Sequence, residues 1–125
     1  MTLKILVIDD ETEIAEIIRD LLEMEGYKVE SAYDGKSGIE VYLKSKPDLI
    51  ITDNMMPLMS GVEMIKSIRE IHGDKKVKII LSSAGLMHQN VKIEWDLFLR
   101  KPPNIEEILK AIQTLFPERD EKQSN

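Results

Sequence analysis

Apolar and polar positions follow two rhythms along the chain. Ile5-Leu6-Val7-Ile8 is short, β-branched and apolar throughout, the pattern of a strand covered on both faces, as in a parallel sheet. From Glu11 to Glu25 the residues Ile14, Ile17, Ile18, Leu21 and Leu22 recur at helical spacing and predict an amphipathic helix, with Gly26 placed to end it. Tyr27 to Ala32 predicts a second, more polar strand at a sheet edge. Asp34-Gly35 marks a turn, and the segment from Lys36 to Ser45 predicts a helix with Ile39, Tyr42 and Leu43 inward. Pro47 breaks that helix, and Leu49-Ile50-Ile51 predicts a third, buried strand ending at Asp53. Beyond the loop from Asn54 to Met59, Ser60-Gly61 opens a helix carrying Val62, Ile65, Ile68 and Ile71, which His72-Gly73-Asp74 closes. Val77 to Ser82 predicts a fourth strand, residues 84 to 94 at most a short helix, and Trp95 to Arg100 a fifth strand. Asn104, with Glu107 three residues on, predicts the capped start of a last helix that places Ile105, Ile108, Leu109, Ile112 and Leu115 inward and runs to Phe116.

Five strands alternating with helices imply right-handed βαβ units. The predicted fold is α/β: a three-layer αβα sandwich around a doubly wound, five-stranded parallel sheet of flavodoxin-like order 2-1-3-4-5, with a shortened fourth helix. One domain is expected over residues 1–117, followed by a polar tail or linker start over 118–125.

Composition narrows the chemistry. The chain has no cysteine, which removes disulfides, thiolate metal sites and Cys nucleophiles. Its formal net charge of −6 argues against non-specific binding to nucleic acid or to a membrane surface. No apolar run is long enough to span a bilayer, and the first apolar run stops at two aspartates without a signal-peptide cleavage site. A cytoplasmic location is expected.

In open α/β sheets ligands bind beyond the carboxyl ends of the strands. Strand one ends in Asp9-Asp10, strand three in Asp53, strand four in Ser82-Ser83 and strand five at Lys101. Taken singly, an Asp after a strand is most often a turn former or helix cap. Together, three carboxylates, one or two hydroxyls and an ammonium share one rim. Crowded carboxylates repel unless a cation intervenes, and an oxygen-only set without Cys or nearby His suits a hard ion, Mg²⁺ first and Mn²⁺ as the alternative. Such a site is built for a phosphoryl group, with Asp53 as a nucleophile able to form an aspartyl-phosphate.

With these residues in place the chain resembles the CheY-like receiver domain of two-component response regulators. The resemblance spans residues 3 to 116 and rests on Ile-Leu-Val-Ile-Asp9-Asp10-Glu11, Asp34-Gly35, Pro47-Asp48-Leu49-Ile50-Ile51-Thr52-Asp53, Met56-Pro57, Gly61, Ile79-Ile80-Leu81-Ser82-Ser83-Ala84 and Lys101-Pro102. It implies that Asp53 is the phosphoacceptor, and that Asp9, Asp10, Asp53 and the backbone carbonyl of Met55 hold Mg²⁺. It implies that Lys101 binds the phosphoryl group, with a Lys101-Pro102 bond that is often cis. Ser83 matches the switch hydroxyl, with Ser82 the weaker alternative, and Phe98 matches the switch aromatic. The implied partners are a histidine kinase or histidine phosphotransfer protein and an output protein or domain absent from this chain. The implied activity is self-catalysed phosphotransfer to Asp53 and autodephosphorylation, without turnover of an external substrate. A monomer or weak dimer is expected, with no direct nucleic-acid or membrane contact.

The chain departs from the family pattern in two places. The stretch between Ser83 and Lys101 is a few residues short, and Trp95-Asp96 stands where a Gly-Ala pair is usual. Two other readings compete. A phosphorylation-independent docking module would not need the full acidic set. A hydrolase of the haloacid dehalogenase type would need a second Asp two residues after the first, where this chain has Met55.

Overall fold

The structure is a computed structural model, and it describes residues 2–85 and 94–117. The elements run β1 (Lys4–Ile8), α1 (Thr12–Met24), β2 (Lys28–Ala32), α2 (Gly35–Ser45), β3 (Leu49–Asp53), α3 (Gly61–Lys66) continued by a π-helical turn (Ser67–Ile71), β4 (Lys78–Ser83), β5 (Leu97–Arg100) and α4 (Ile105–Leu115). All strand pairs are parallel, in the order β2-β1-β3-β4-β5, as the alternation of elements predicts. Of residues 84 to 94, where at most a short helix is expected, 84, 85 and 94 are not helical and 86–93 lie outside the described residues.

The pleat sends alternate residues to opposite faces and makes two cores. Ile5, Val7, Leu49, Ile51 and Ile80 pack under α1 and α4, against Ala15, Leu22, Ile108 and Ile112. Leu6, Ile8, Ile50, Ile79 and Leu81 pack under α2 and α3, against Tyr42, Met64, Ile65 and Ile68. β3 is buried along its whole length, as its unbroken apolar run requires. The Asn104 cap and its reciprocal bond with Glu107 form as predicted, and Ser60 with Glu63 makes a second such box at the start of α3.

Three predicted inward residues point out instead. Ile17 is 57% exposed because the inward stripe of α1 centres on Ala15, Ile18 and Leu22. Leu43 is 48% exposed because Tyr42 takes the buried position of that turn. Ile71 is 78% exposed, and the cause is the π-helical turn. A π turn holds an extra residue, so the helical stripe is displaced after Ile68. Arg69 goes inward in place of Ile71 and is only 6% exposed.

Arg69 closes the amino-terminal rim of the sheet. Its Nε donates to the Glu94 carbonyl at 3.0 Å, Nη1 to the Asp74 carbonyl at 3.0 Å, and Nη2 to Asp96 Oδ2 at 3.1 Å. Asp96 also accepts from the Ile79 amide at 2.8 Å, which ties the entry of β5 to β4. The Trp95-Asp96 departure therefore has a structural use: Trp95 packs on the α3-side core and Asp96 holds the arginine.

Candidate functional site

The carboxyl rim is assembled by register. β1 lies between β2 and β3, so Asp9 leaves the sheet beside Asp53, and Asp53 pairs directly with Ser82 of β4. Lys101 follows β5, and its amide donates to the Ser83 carbonyl at 3.0 Å. The Lys101-Pro102 peptide bond is cis. Behind Asp53 the chain turns tightly into α3: a Cβ on Gly61 would collide with the Asp53 carbonyl oxygen, so only glycine lets the helix start this close to the site.

Lys101 Nζ is the hub. It lies 3.0 Å from Asp9 Oδ2, 3.2 Å from Asp53 Oδ2 and 3.1 Å from Glu11 Oε1. Asp9 Oδ1 accepts from the Glu11 amide at 2.9 Å. Asp9 and Asp53 are both buried, and Asp10 is exposed beside them. Burial pushes the Asp53 carboxyl above its usual range; Lys101 opposes this, and the neighbouring Asp9 charge adds to it. Burial likewise raises Asp9, against the pull of the Glu11 amide and Lys101. For Lys101 burial works downward, but the hydrogen bonds to Asp9, Glu11 and Asp53 outweigh it and hold the ammonium above the ordinary lysine value.

The residues fit a hard divalent cation. Asp9, Asp10 and Asp53 each offer a carboxylate oxygen, all within 4.8 Å of one another. Asp53 Oδ1 is buried without a hydrogen-bond partner, an arrangement that a further positive charge would relieve. The donor set is oxygen alone, as Mg²⁺ prefers. The Met55 side chain is exposed in the loop after β3, two residues beyond Asp53.

The structure brings Asp9, Asp10, Asp53 and Lys101 together as the sequence predicts. Ser83 lies on the other face of β4. It is buried, and its Oγ accepts from the Gly85 amide at 3.3 Å. Phe98 pairs in register with Leu81 and packs, half-buried, on the same side as Ser83. One residue at the site was not assigned to it, and another was named only as the weaker candidate for the switch hydroxyl. Glu11 pairs with Lys101, which the acidic triplet Asp9-Asp10-Glu11 could have signalled. Ser82 lines the hollow beneath Asp53 and Lys101, and its strand parity, shared with Ile80 and Asp53, could have signalled that. A larger hollow of about 320 Å³ opens at the opposite rim, around Lys4, Tyr27, Lys28 and Pro47, and holds none of these groups.

Known proteins are similar to this chain in sequence and in fold. The family model described as response regulator receiver domain matches residues 5–113. The chain is 30% identical over 118 residues to the response regulator MprA of Mycobacterium ulcerans, covering 93% of this chain and 51% of that protein. It is 33% identical over 116 residues to the transcriptional regulatory protein CpxR of Escherichia coli, covering 90% of this chain and 49% of that protein. It thus spans about half the length of these relatives. Among solved structures, the chemotaxis protein CheY4 of Vibrio cholerae superposes with a TM-score of 0.82 at 31% identity, covering 91% of this chain and 98% of that one. A CheY-like receiver domain protein from Methanospirillum hungatei superposes with a TM-score of 0.85 at 25% identity, covering 98% and 99%. No helix among the described residues is long and apolar enough to cross a membrane.

Proposed function

The chain belongs to the response regulator receiver domain family of two-component signalling, and we propose that it accepts a phosphoryl group on Asp53 from the phosphohistidine of a histidine kinase or phosphotransfer protein. The observation that carries this is the state of Asp53. Its carboxylate is buried at the end of the central strand, held by Lys101 through one oxygen, with the other oxygen unpartnered.

An Asp53 oxygen attacks phosphorus in line, the P–N bond breaks, and its electron pair returns to the donor imidazole. Lys101 is positioned to follow the charge from the carboxylate to the phosphoryl oxygens. Asp9, Asp10, Asp53 and the Met55 carbonyl would hold Mg²⁺, which supplies charge neutralisation on the equatorial oxygens. Ser83 then turns from the Gly85 amide toward the new phosphoryl group, and Phe98, on the same face, moves into the space it leaves. That biases a two-state surface read by an output protein or by a domain outside this chain. Residues 1–117 form the receiver and 118–125 a polar tail or linker start, working in the cytoplasm as a monomer or weak dimer.

The test is incubation with a small acyl phosphate and Mg²⁺, read by intact mass. Addition of one phosphoryl group to the wild type and none to Asp53→Asn is expected. No addition to the wild type, or equal addition to the variant, would overturn the assignment.

A further inference from the structure

Building on the phosphoacceptor reading, we propose that Ser82 is a positioning residue of the same site: its hydroxyl, through one bridging water, donates to the Asp53 carboxyl group and speeds loss of the phosphoryl group.

β4 is apolar from Ile79 to Leu81, and then places a hydroxyl where its inward neighbour two residues earlier, Ile80, is aliphatic. Ser82 is only 5% exposed, and its Oγ is buried without a hydrogen-bond partner. A hydroxyl left so is unfavourable, and it calls for a use. Ser82 sits opposite Asp53 in the β3–β4 register. The two residues line one small hollow with Asp9 and Lys101, closed by Ile14, Ile18 and Pro103. The hollow measures about 10 Å³, the space of one water. Ser82 Oγ is a donor without an acceptor, and Asp53 Oδ1 is an acceptor without a donor. Lys101 already directs its ammonium to Asp9, Glu11 and Asp53. Ser83 is engaged with Gly85 on the opposite face, so the two adjacent serines have separate work.

Dephosphorylation shows what the donor does. A water oxygen attacks phosphorus as the bond from phosphorus to the Asp53 oxygen breaks. The electron pair of that bond returns to the carboxylate, the attacking water's proton passes to solvent, and inorganic phosphate leaves. Negative charge grows on the Asp53 oxygens, and a donor fixed beneath them stabilises it. The same donor slightly restrains the carboxylate as nucleophile, so its removal does not slow phosphorylation.

The experiment uses the full chain, phosphorylated with a small acyl phosphate and Mg²⁺, freed of the donor and followed by intact mass. Ser82→Ala and Ser82→Val are expected to lengthen the phosphorylated lifetime by about three- to tenfold, the range one hydrogen bond commands, without a slower phosphorylation rate. Ser82→Thr, the same shape as Val but with the hydroxyl, restores the wild-type lifetime. An unchanged lifetime in Ala and Val overturns the proposal, as does a Thr variant that behaves like Val. A wild type that takes up no phosphoryl group instead overturns the phosphoacceptor reading beneath it, a result visible before any Ser82 variant is made.

Discussion

The two rims of the sheet each hold a cation, buried Arg69 at one and half-buried Lys101 at the other, and the two are treated differently. At the amino rim, Arg69 meets one carboxylate and two carbonyls, each at 3.0–3.1 Å, so that each of its three nitrogens donates a hydrogen bond. Beside it, burial alone would raise Asp74, but bonds from the Tyr42 hydroxyl and the Val77 and Lys76 amides bring its carboxyl below the usual range. Tyr42 is correspondingly pushed up to about 12, by burial and then by that same bond. At the carboxyl rim, Lys101 faces Asp9, Asp53 and Glu11 with Asp10 close by, and there burial wins: Asp9 and Asp53 are raised. The first rim is a closed hydrogen-bond network. The second keeps an excess of negative charge that a further cation would offset. A planar, fixed guanidinium suits the first task, and a point charge on a flexible stem suits the second.

The largest expected effect tests the closed rim. Arg69→Leu removes three hydrogen bonds of a buried side chain, to the Glu94 and Asp74 carbonyls and to Asp96, and should destabilise the chain by about 3 kcal/mol in urea unfolding. Phosphorylation of the folded fraction should be unaffected, since the two rims lie at opposite ends of the strands. A loss smaller than about 1 kcal/mol would make Arg69 an ordinary surface contact and remove the contrast.

At the open rim the sign reverses. Asp53→Asn removes one of three crowded carboxylates while Lys101 keeps Asp9 and Glu11, so in chelator it should stabilise the protein by about 1 kcal/mol at neutral pH even as it abolishes phosphorylation. The pH dependence follows from linkage. Because the folded Asp53 carboxyl is raised above 3.8, its contribution to stability is full below that value and is lost as pH rises through the folded pKa. The advantage of Asp53→Asn should therefore shrink toward pH 4. Asp74, held below 3.8, behaves oppositely: its contribution is present above that pH and is lost as pH falls through the folded pKa. An Asp53→Asn chain less stable than wild type at neutral pH would show that Asp53 supports the fold rather than straining it.

Why one rim was legible in the sequence and the other was not has a physical basis. A parallel sheet gathers the residues that follow its strands, so reading Ile5–Ile8 and Leu49–Ile51 as strands already places Asp9, Asp10 and Asp53 side by side. Strand order and the capped last helix follow from equally local rules. The π turn has no such marker. One extra residue between Ser67 and Ile71 decides whether Arg69 or Ile71 goes inward, and no residue type announces it. Asp96 then resembles any polar residue before a strand until Arg69 is found inside. The serines are an intermediate case: parity with Ile80 and Asp53 places Ser82 beneath the site, whereas the resemblance directs attention to Ser83.

The smallest effects come from the solvent-exposed charged partner at each rim. Lys78 Nζ stands 3.9 Å from Asp96 with its side chain 42% exposed, and Glu11, 62% exposed, stands 3.1 Å from Lys101. Solvent screens both, so Lys78→Ala and Glu11→Gln should each change stability by less than about 0.5 kcal/mol. Their effects on Mg²⁺ should differ. Glu11→Gln takes a negative charge from beside Asp9, Asp10 and Asp53 and should weaken Mg²⁺ binding by about threefold at low salt, less as salt rises, whereas Lys78→Ala lies at the far rim and should leave it unchanged. Titration calorimetry of the two variants decides the matter. Equal Mg²⁺ affinities would mean that Glu11 serves only to hold Lys101. A Glu11→Gln stability loss as large as that of Arg69→Leu would mean that the Lys101 cluster carries the fold after all, and that the two rims differ in residue type but not in role.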